Sequence, residues 1–105
     1  RAEEGLGHAV VFGLGGIFVE VLKDVHFCLT PVSPAEAKRM ISSIKGAALL
    51  DGVRGQPGID KDAAVDAIVR LSQLLTDHPE IQEMDLNPVF GYEDRVAVAD
   101  ARILI

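Results

Sequence analysis

Two stretches carry the residue types best suited to chemistry: Glu83-Met84-Asp85-Leu86-Asn87-Pro88 and Val96-Ala97-Val98-Ala99-Asp100-Ala101-Arg102. Both read as strands, over residues 81–90 and 95–103, joined by Gly91-Tyr92-Glu93-Asp94. Alternate residues of a strand share a face, so Asp85 and Asn87 point one way and Met84 and Leu86 the other. Val98, Asp100 and Arg102 share a face on the returning strand. With Glu93-Asp94 as a two-residue turn, Asn87 falls opposite Asp100 and Asp85 opposite Arg102. With the whole of 91–94 as the loop, Asp85 falls opposite Asp100. Either even-length loop sets Asp85, Asn87 and Asp100 on one face, with directly opposed β-carbons roughly 4.5–5.5 Å apart.

Two carboxylates and an amide oxygen make a poor core, because close unpaired charges repel and lose solvation. A hard divalent cation resolves the conflict, since Mg²⁺ takes oxygen ligands and completes its shell with water and phosphate. The alternative is a solvated sheet face on which Asp85 pairs with Arg102.

The elements that must position this hairpin are legible in outline. Residues 8–12 and 18–22 read as strands separated by a turn at Gly13, Gly15 and Gly16, and residues 26–32 as a further extended run. Ser33-Pro34-Ala35-Glu36 opens a helix with a cap, a proline in the first turn and a capping box. Ala37, Met40, Ile41 and Ile44 recur at helical spacing, and Gly46 can close that helix. A second helix starts near Asp60, buries Ala64, Ile68, Leu71, Leu74 and Leu75, and ends at Pro79. The expected fold class is α+β, with a mostly antiparallel sheet covered on one face by two helices.

Composition narrows the function. Sixteen acidic residues against ten basic ones give a net charge of −6 in 105 residues, which argues against a nucleic-acid or anionic-membrane partner. An apolar fraction of 49% and a mean hydropathy of +0.26 exclude a disordered chain. The length suits one domain or part of one. The single cysteine, Cys28, fits a reducing, cytoplasmic compartment, and no apolar run approaches the ~18 residues of a membrane span. The sequence starts at Arg1 close to an apolar run and ends on Ile103-Leu104-Ile105, so residues 1–105 are expected to be a segment of a larger protein.

Four stretches carry a family resemblance: FGLGGIFVEVLKDV (12–25), LLDGVRG (49–55), EMDLNPV (83–89) and VADARI (98–103). In this order they resemble the C-terminal half of the ATP-grasp domain of NDP-forming acyl-CoA synthetases, a group related to succinyl-CoA synthetase. The resemblance implies a reversible reaction in which acyl-CoA, NDP and phosphate become carboxylic acid, CoA and NTP. It also implies an acyl phosphate and a phosphohistidine carried by a CoA-binding partner domain or subunit. Asn87 and Asp100 then hold the Mg²⁺ of ATP or ADP, and Asp85 sits beside the phosphohistidine during phosphoryl transfer.

Other positions are open to two readings. Gly15 and Gly16 either bring backbone N–H groups to a phosphate or form a tight turn. Glu20 belongs to the family's G-G-x-x-V-E pattern or serves a structural pair. Arg54 reaches a phosphate or the CoA-carrying partner, or is a solvated loop charge. His26 and Cys28 alternate onto one strand face, where a zinc pair is conceivable. Cys28 also stands where the family commonly shows arginine, which would suit a catalytically silent regulatory domain fused to a lysine acetyltransferase. A third reading is a plain α+β interaction module whose acids keep it in solution.

Overall fold

The helix signal at Ser33 is realised in full. In the computed structural model, which describes residues 2–3, 7–15, 24–53 and 56–105, helix α1 spans Pro34–Ser43. Ser33 Oγ accepts from the Glu36 amide at 3.1 Å, and Glu36 Oε1 accepts from the Ser33 amide at 3.2 Å. The two bonds satisfy donors that a helix start leaves without partners. Contrary to expectation, Gly46 does not close α1. The chain turns extended at Ile44 and enters a 3-10 helix, Lys45–Asp51, which ends at Gly52 with φ 107°, a left-handed conformation suited to glycine.

Helix α2 spans Lys61–Asp77, and Asp60 caps it by accepting from the Ala63 amide at 3.0 Å. Its buried stripe is Ala64, Val65, Ile68, Ser72 and Leu75. Leu74, expected inside, is 38% exposed, and the polar Ser72 is buried instead. Ser72 is drawn inward by a backbone need: its Oγ accepts from the Val32 amide at 2.7 Å. The two helices meet around Ala37, Met40, Ile41, Leu50, Ala64, Ile68 and Leu75. Met40, 1% exposed, is the largest apolar side chain fully enclosed there.

Strand β1, Ala2–Glu3, pairs briefly with β2, Gly7–Gly13, and β2 pairs antiparallel with β3, Val25–Leu29. Val10 faces Cys28 and Phe12 faces His26 on the side turned to the core. Val11, opposite Phe27, points away, and these two are 60% and 66% exposed. The strand expected over 26–32 therefore stops at Leu29, and the one expected over 18–22 lies outside the described residues. Strands β4, Gly52–Val53, and β5, Gln56–Pro57, form a small hairpin.

The last two expected strands are each broken once, giving β6 Glu83–Leu86, β7 Val89–Gly91, β8 Val96–Val98 and β9 Ala101–Leu104. Their register does not change across the break. Asp85 pairs with Arg102, Leu86 with Ala101, Val89 with Val98 and Gly91 with Val96, and the Tyr92 amide donates to Arg95 O at 2.8 Å. Glu93-Asp94 is thus the two-residue turn, braced by Arg95 stacked 4.3 Å over the Tyr92 ring. All ladders are antiparallel, as the fold class requires, and among the described residues they form separate short ladders rather than one continuous sheet.

Candidate functional site

The hairpin is fixed at both ends. At its tip, Gly91 lies so close to Ile59 that a β-carbon would clash, and the Asp60 amide donates to Tyr92 O at 2.7 Å. At its base, the Gln82 amide donates to Leu104 O at 2.7 Å, and Ile81 is buried. The buried imidazole of His8 shares a hydrogen bond between Nε2 and Ile81 O, joining β2 to the start of the hairpin. No partner for His8 was evident from sequence, because the acceptor lies 73 residues away.

Between these anchors lies the break at 87–88. The Asn87 amide donates to Asp100 O at 3.2 Å, and the Ala99 amide to Pro88 O at 3.0 Å. With unbroken register on either side, Asn87 is directly opposite Asp100, the position at which antiparallel partners share a face. The Asn87–Pro88 peptide is cis. Asp85, Asn87 and Asp100 are all exposed.

Gly15 joins them from another element. A β-carbon at Gly15 would sit 4.0 Å from Asn87 Oδ1. Gly15 has no left-handed backbone, since Gly52 alone among the described glycines has positive φ. A β-carbon there would be in ordinary contact with Asn87, so the position has room for a small side chain only. Gly16, Glu20 and Arg54 lie outside the described residues.

The donor set suits a hard cation. Asn87 offers an amide oxygen and Asp100 a carboxylate, one of whose oxygens accepts from the Ala101 amide at 2.9 Å. Arg102 stands opposite Asp85, yet among the described residues neither Asp85 nor Asp100 forms an ion pair. The pairing of Asp85 with Arg102 expected on a plain solvated face is thus a matter of register only. Exposed oxygens without a protein cation fit a Mg²⁺ ion that keeps water and phosphate ligands.

The remaining candidates resolve into structural roles. Cys28 Sγ donates to Glu36 Oε2 at 3.1 Å. Burial, then this carboxylate, raises the thiol's pKa, while the same bond and the Ser33 amide hold Glu36 below the usual carboxylate range. Among the described residues no group of three or more His, Cys, Asp and Glu side chains is placed to hold a metal ion, around His26 and Cys28 or elsewhere. His78 pairs with Glu80 at 3.3 Å on the surface. A surface pocket of about 470 Å³ between α1, the 3-10 helix and α2 includes none of the hairpin residues. Among the described residues no helix is long and apolar enough to cross a membrane.

One contributor was missed. Asp24, 5% exposed, accepts the Lys45 and Gly46 amides, with 2.6 Å to Gly46. Its only sequence signal is an acid placed directly before the apolar strand Val25–Leu29.

Comparison with known proteins extends the picture. Residues 1–105 match the family model described as ATP-grasp domain. The chain is 46% identical over 99 residues to the acetate–CoA ligase [ADP-forming] I subunit beta of Pyrococcus furiosus, covering 94% of this chain and 43% of that subunit. It superposes on the apo dinucleotide-forming acetyl-coenzyme A synthetase 1 of Ca. Korarchaeum cryptofilum with TM-score 0.95 and 42% identity, over 99% of this chain and 50% of that one. The same synthetase, solved with coenzyme A and Mg-AMPPCP and with its phosphohistidine segment pointing towards the nucleotide site, gives TM-score 0.93 at 42% identity, over 99% of this chain and 49% of that one. The chain thus spans about half the length of these relatives. A match along its entire length, with the strand order and helix packing above, establishes that the chain belongs to the ATP-grasp family.

Proposed function

We propose that this chain is the part of an ADP-forming acyl-CoA synthetase that holds the Mg²⁺-nucleotide while phosphate moves to and from a histidine. The observation that carries the reading is Asn87 directly opposite Asp100, with Gly15 set beside them so that an added β-carbon would just reach the Asn87 amide oxygen. The chain's similarity to an ADP-forming acetate–CoA ligase subunit, and to a synthetase solved with Mg-AMPPCP, supports it.

In this reading Asn87 and Asp100 supply the protein oxygens for Mg²⁺, and water and phosphate oxygens complete the shell. When bound, the ion neutralises charge on the transferred phosphoryl group. Asp85, exposed two positions before Asn87, holds a ring N–H of the incoming histidine and fixes its tautomer. Gly15 keeps the space over Asn87 clear for a phosphate. Gly16, Glu20 and Arg54 complete the nucleotide contacts. The histidine, CoA and the carboxylic acid come from a CoA-binding domain or subunit, in the cytoplasm.

The regulatory alternative is not favoured, because the relatives are ligases and synthetases. Cys28, the departure that suggested it, is absorbed by its bond to Glu36.

The test uses the polypeptide that contains this segment together with its histidine-bearing partner. Asn87→Ala and Asp100→Asn should each slow ATP-dependent histidine phosphorylation about a hundredfold and raise the Mg²⁺ needed for half-saturation, since metal neutralisation is worth several kcal/mol. Unchanged Mg²⁺ dependence in both variants would remove the reading.

A further inference from the structure

The phosphoryl-transfer reading leaves one buried acid without a task. Asp24 stands immediately before β3, is 5% exposed, and makes no ion pair among the described residues. A bare buried carboxylate is costly. Asp24 is compensated by two backbone amides, those of Lys45 and Gly46, which open the 3-10 helix and have no donor role within it.

The same contact reaches further. A β-carbon at Gly46 would lie 2.7 Å from Leu14 Cδ1 and 3.2 Å from Asp24 Oδ2. Leu14 therefore rests on the bare backbone that Asp24 holds in place, and its own side chain packs against the core. The next residue is Gly15, whose missing β-carbon would lie 4.0 Å from Asn87 Oδ1. Asp24, Gly46 and Leu14 thus form one line of contact, and Gly15, next in the chain, faces Asn87 across a gap that a β-carbon would just span.

We propose that Asp24 is a positioning residue: by clamping the Lys45 and Gly46 amides it seats Leu14, and so places Gly15 against the Asn87 amide. Its effect on metal binding rests on the reading of Asn87 as a Mg²⁺ ligand; the mechanical link does not. Asp24→Asn keeps the shape but turns an N–H₂ toward one of the two amide donors, loosening the clamp. Gly46→Ala keeps the carboxylate's charge but crowds both Leu14 and, less severely, Asp24 Oδ2.

Both variants are made in the polypeptide that contains this segment and compared by amide NMR without nucleotide, then by Mg²⁺ titration of nucleotide binding. The Gly15 amide and the Asn87 side-chain amide should shift in both variants, while the Arg70 and Gln73 amides of α2 stay in place. Half-saturating Mg²⁺ should rise about tenfold, the low end for residues that orient a metal ligand. Asp24→Asn combined with Asn87→Ala should be no worse than Asn87→Ala alone. Unmoved Gly15 and Asn87 signals in a folded Gly46→Ala protein would overturn the proposal. Shifted signals with Mg²⁺ dependence insensitive to Asn87→Ala would instead uphold the clamp and overturn the metal reading.

Discussion

Gly15 offers a graded steric test of the site. A β-carbon at this position would stand 4.0 Å from Asn87 Oδ1, an ordinary van der Waals separation, and the backbone there is not left-handed. Gly15→Ala should therefore be accepted with Mg²⁺-nucleotide affinity within about twofold of the parent. Gly15→Val adds two methyl carbons, each about 1.5 Å beyond the β-carbon. One aimed at Asn87 would come within about 2.5 Å of the amide oxygen, well inside the roughly 3.5 Å of a relaxed contact. The side chain then takes a strained rotamer, at about 0.5–1.5 kcal/mol, or displaces Asn87. A displaced ligand lowers metal affinity about tenfold or more. Calorimetric titration of Mg²⁺-nucleotide into the whole polypeptide should show a step between alanine and valine. Valine binding as well as alanine, or alanine already as poor as valine, would refute the claim that position 15 has room beside Asn87 for a methyl group but not for a branched side chain.

Three further outcomes follow from groups away from the hairpin. Ser72→Ala strips the buried Val32 amide of its acceptor and should cost about 1–3 kcal/mol in urea unfolding; a loss inside measurement error would show that water replaces the hydroxyl. Glu36 is held below the usual carboxylate range by bonds from Cys28 and then Ser33, so its ionised form favours the fold. That contribution is complete above the unfolded glutamate pKa and is lost as pH falls through the lower folded value. Unfolding midpoints should drop below about pH 4, and Glu36→Gln should flatten the drop. An equally steep profile in Glu36→Gln would assign the acid sensitivity elsewhere. Cys28, its pKa raised by burial and by Glu36, should be alkylated more slowly at about pH 8 than a free thiol, and faster after Glu36→Gln.

What the sequence made legible was local or periodic. The Ser33–Glu36 capping box closes within four residues, so its chemistry is complete in the string itself. Strand alternation and an even-length turn placed Asn87 and Asp100, thirteen residues apart, on one face, but their direct pairing was one of two open registers until Glu93-Asp94 proved to be the turn. The rest depended on contacts across the chain. Ser72 is buried and Leu74 is not because the Val32 amide, forty residues away, needs an acceptor. Gly46 looked like a helix stop, whereas its bareness serves Leu14 and Asp24. Gly15 read as a turn residue or a phosphate contact, and its place beside Asn87 could not be seen from spacing. No spacing rule links residues 15, 24, 46 and 87, since only tertiary packing makes them neighbours.

The unbroken register of the hairpin limits how this segment can change in length. With partners matched one to one on both sides of the break, adding or deleting one residue between 87 and 100 leaves a residue without a partner, so Asn87 stays opposite Asp100 only if a bulge takes up the change. Substitutions there erode the site by degrees, whereas a single-residue length change either slips the pairing or is absorbed by a bulge. A one-residue insertion at Glu93-Asp94 is tolerated where the turn can become a three-residue loop with a bulge, and displaces Asp100 where it cannot.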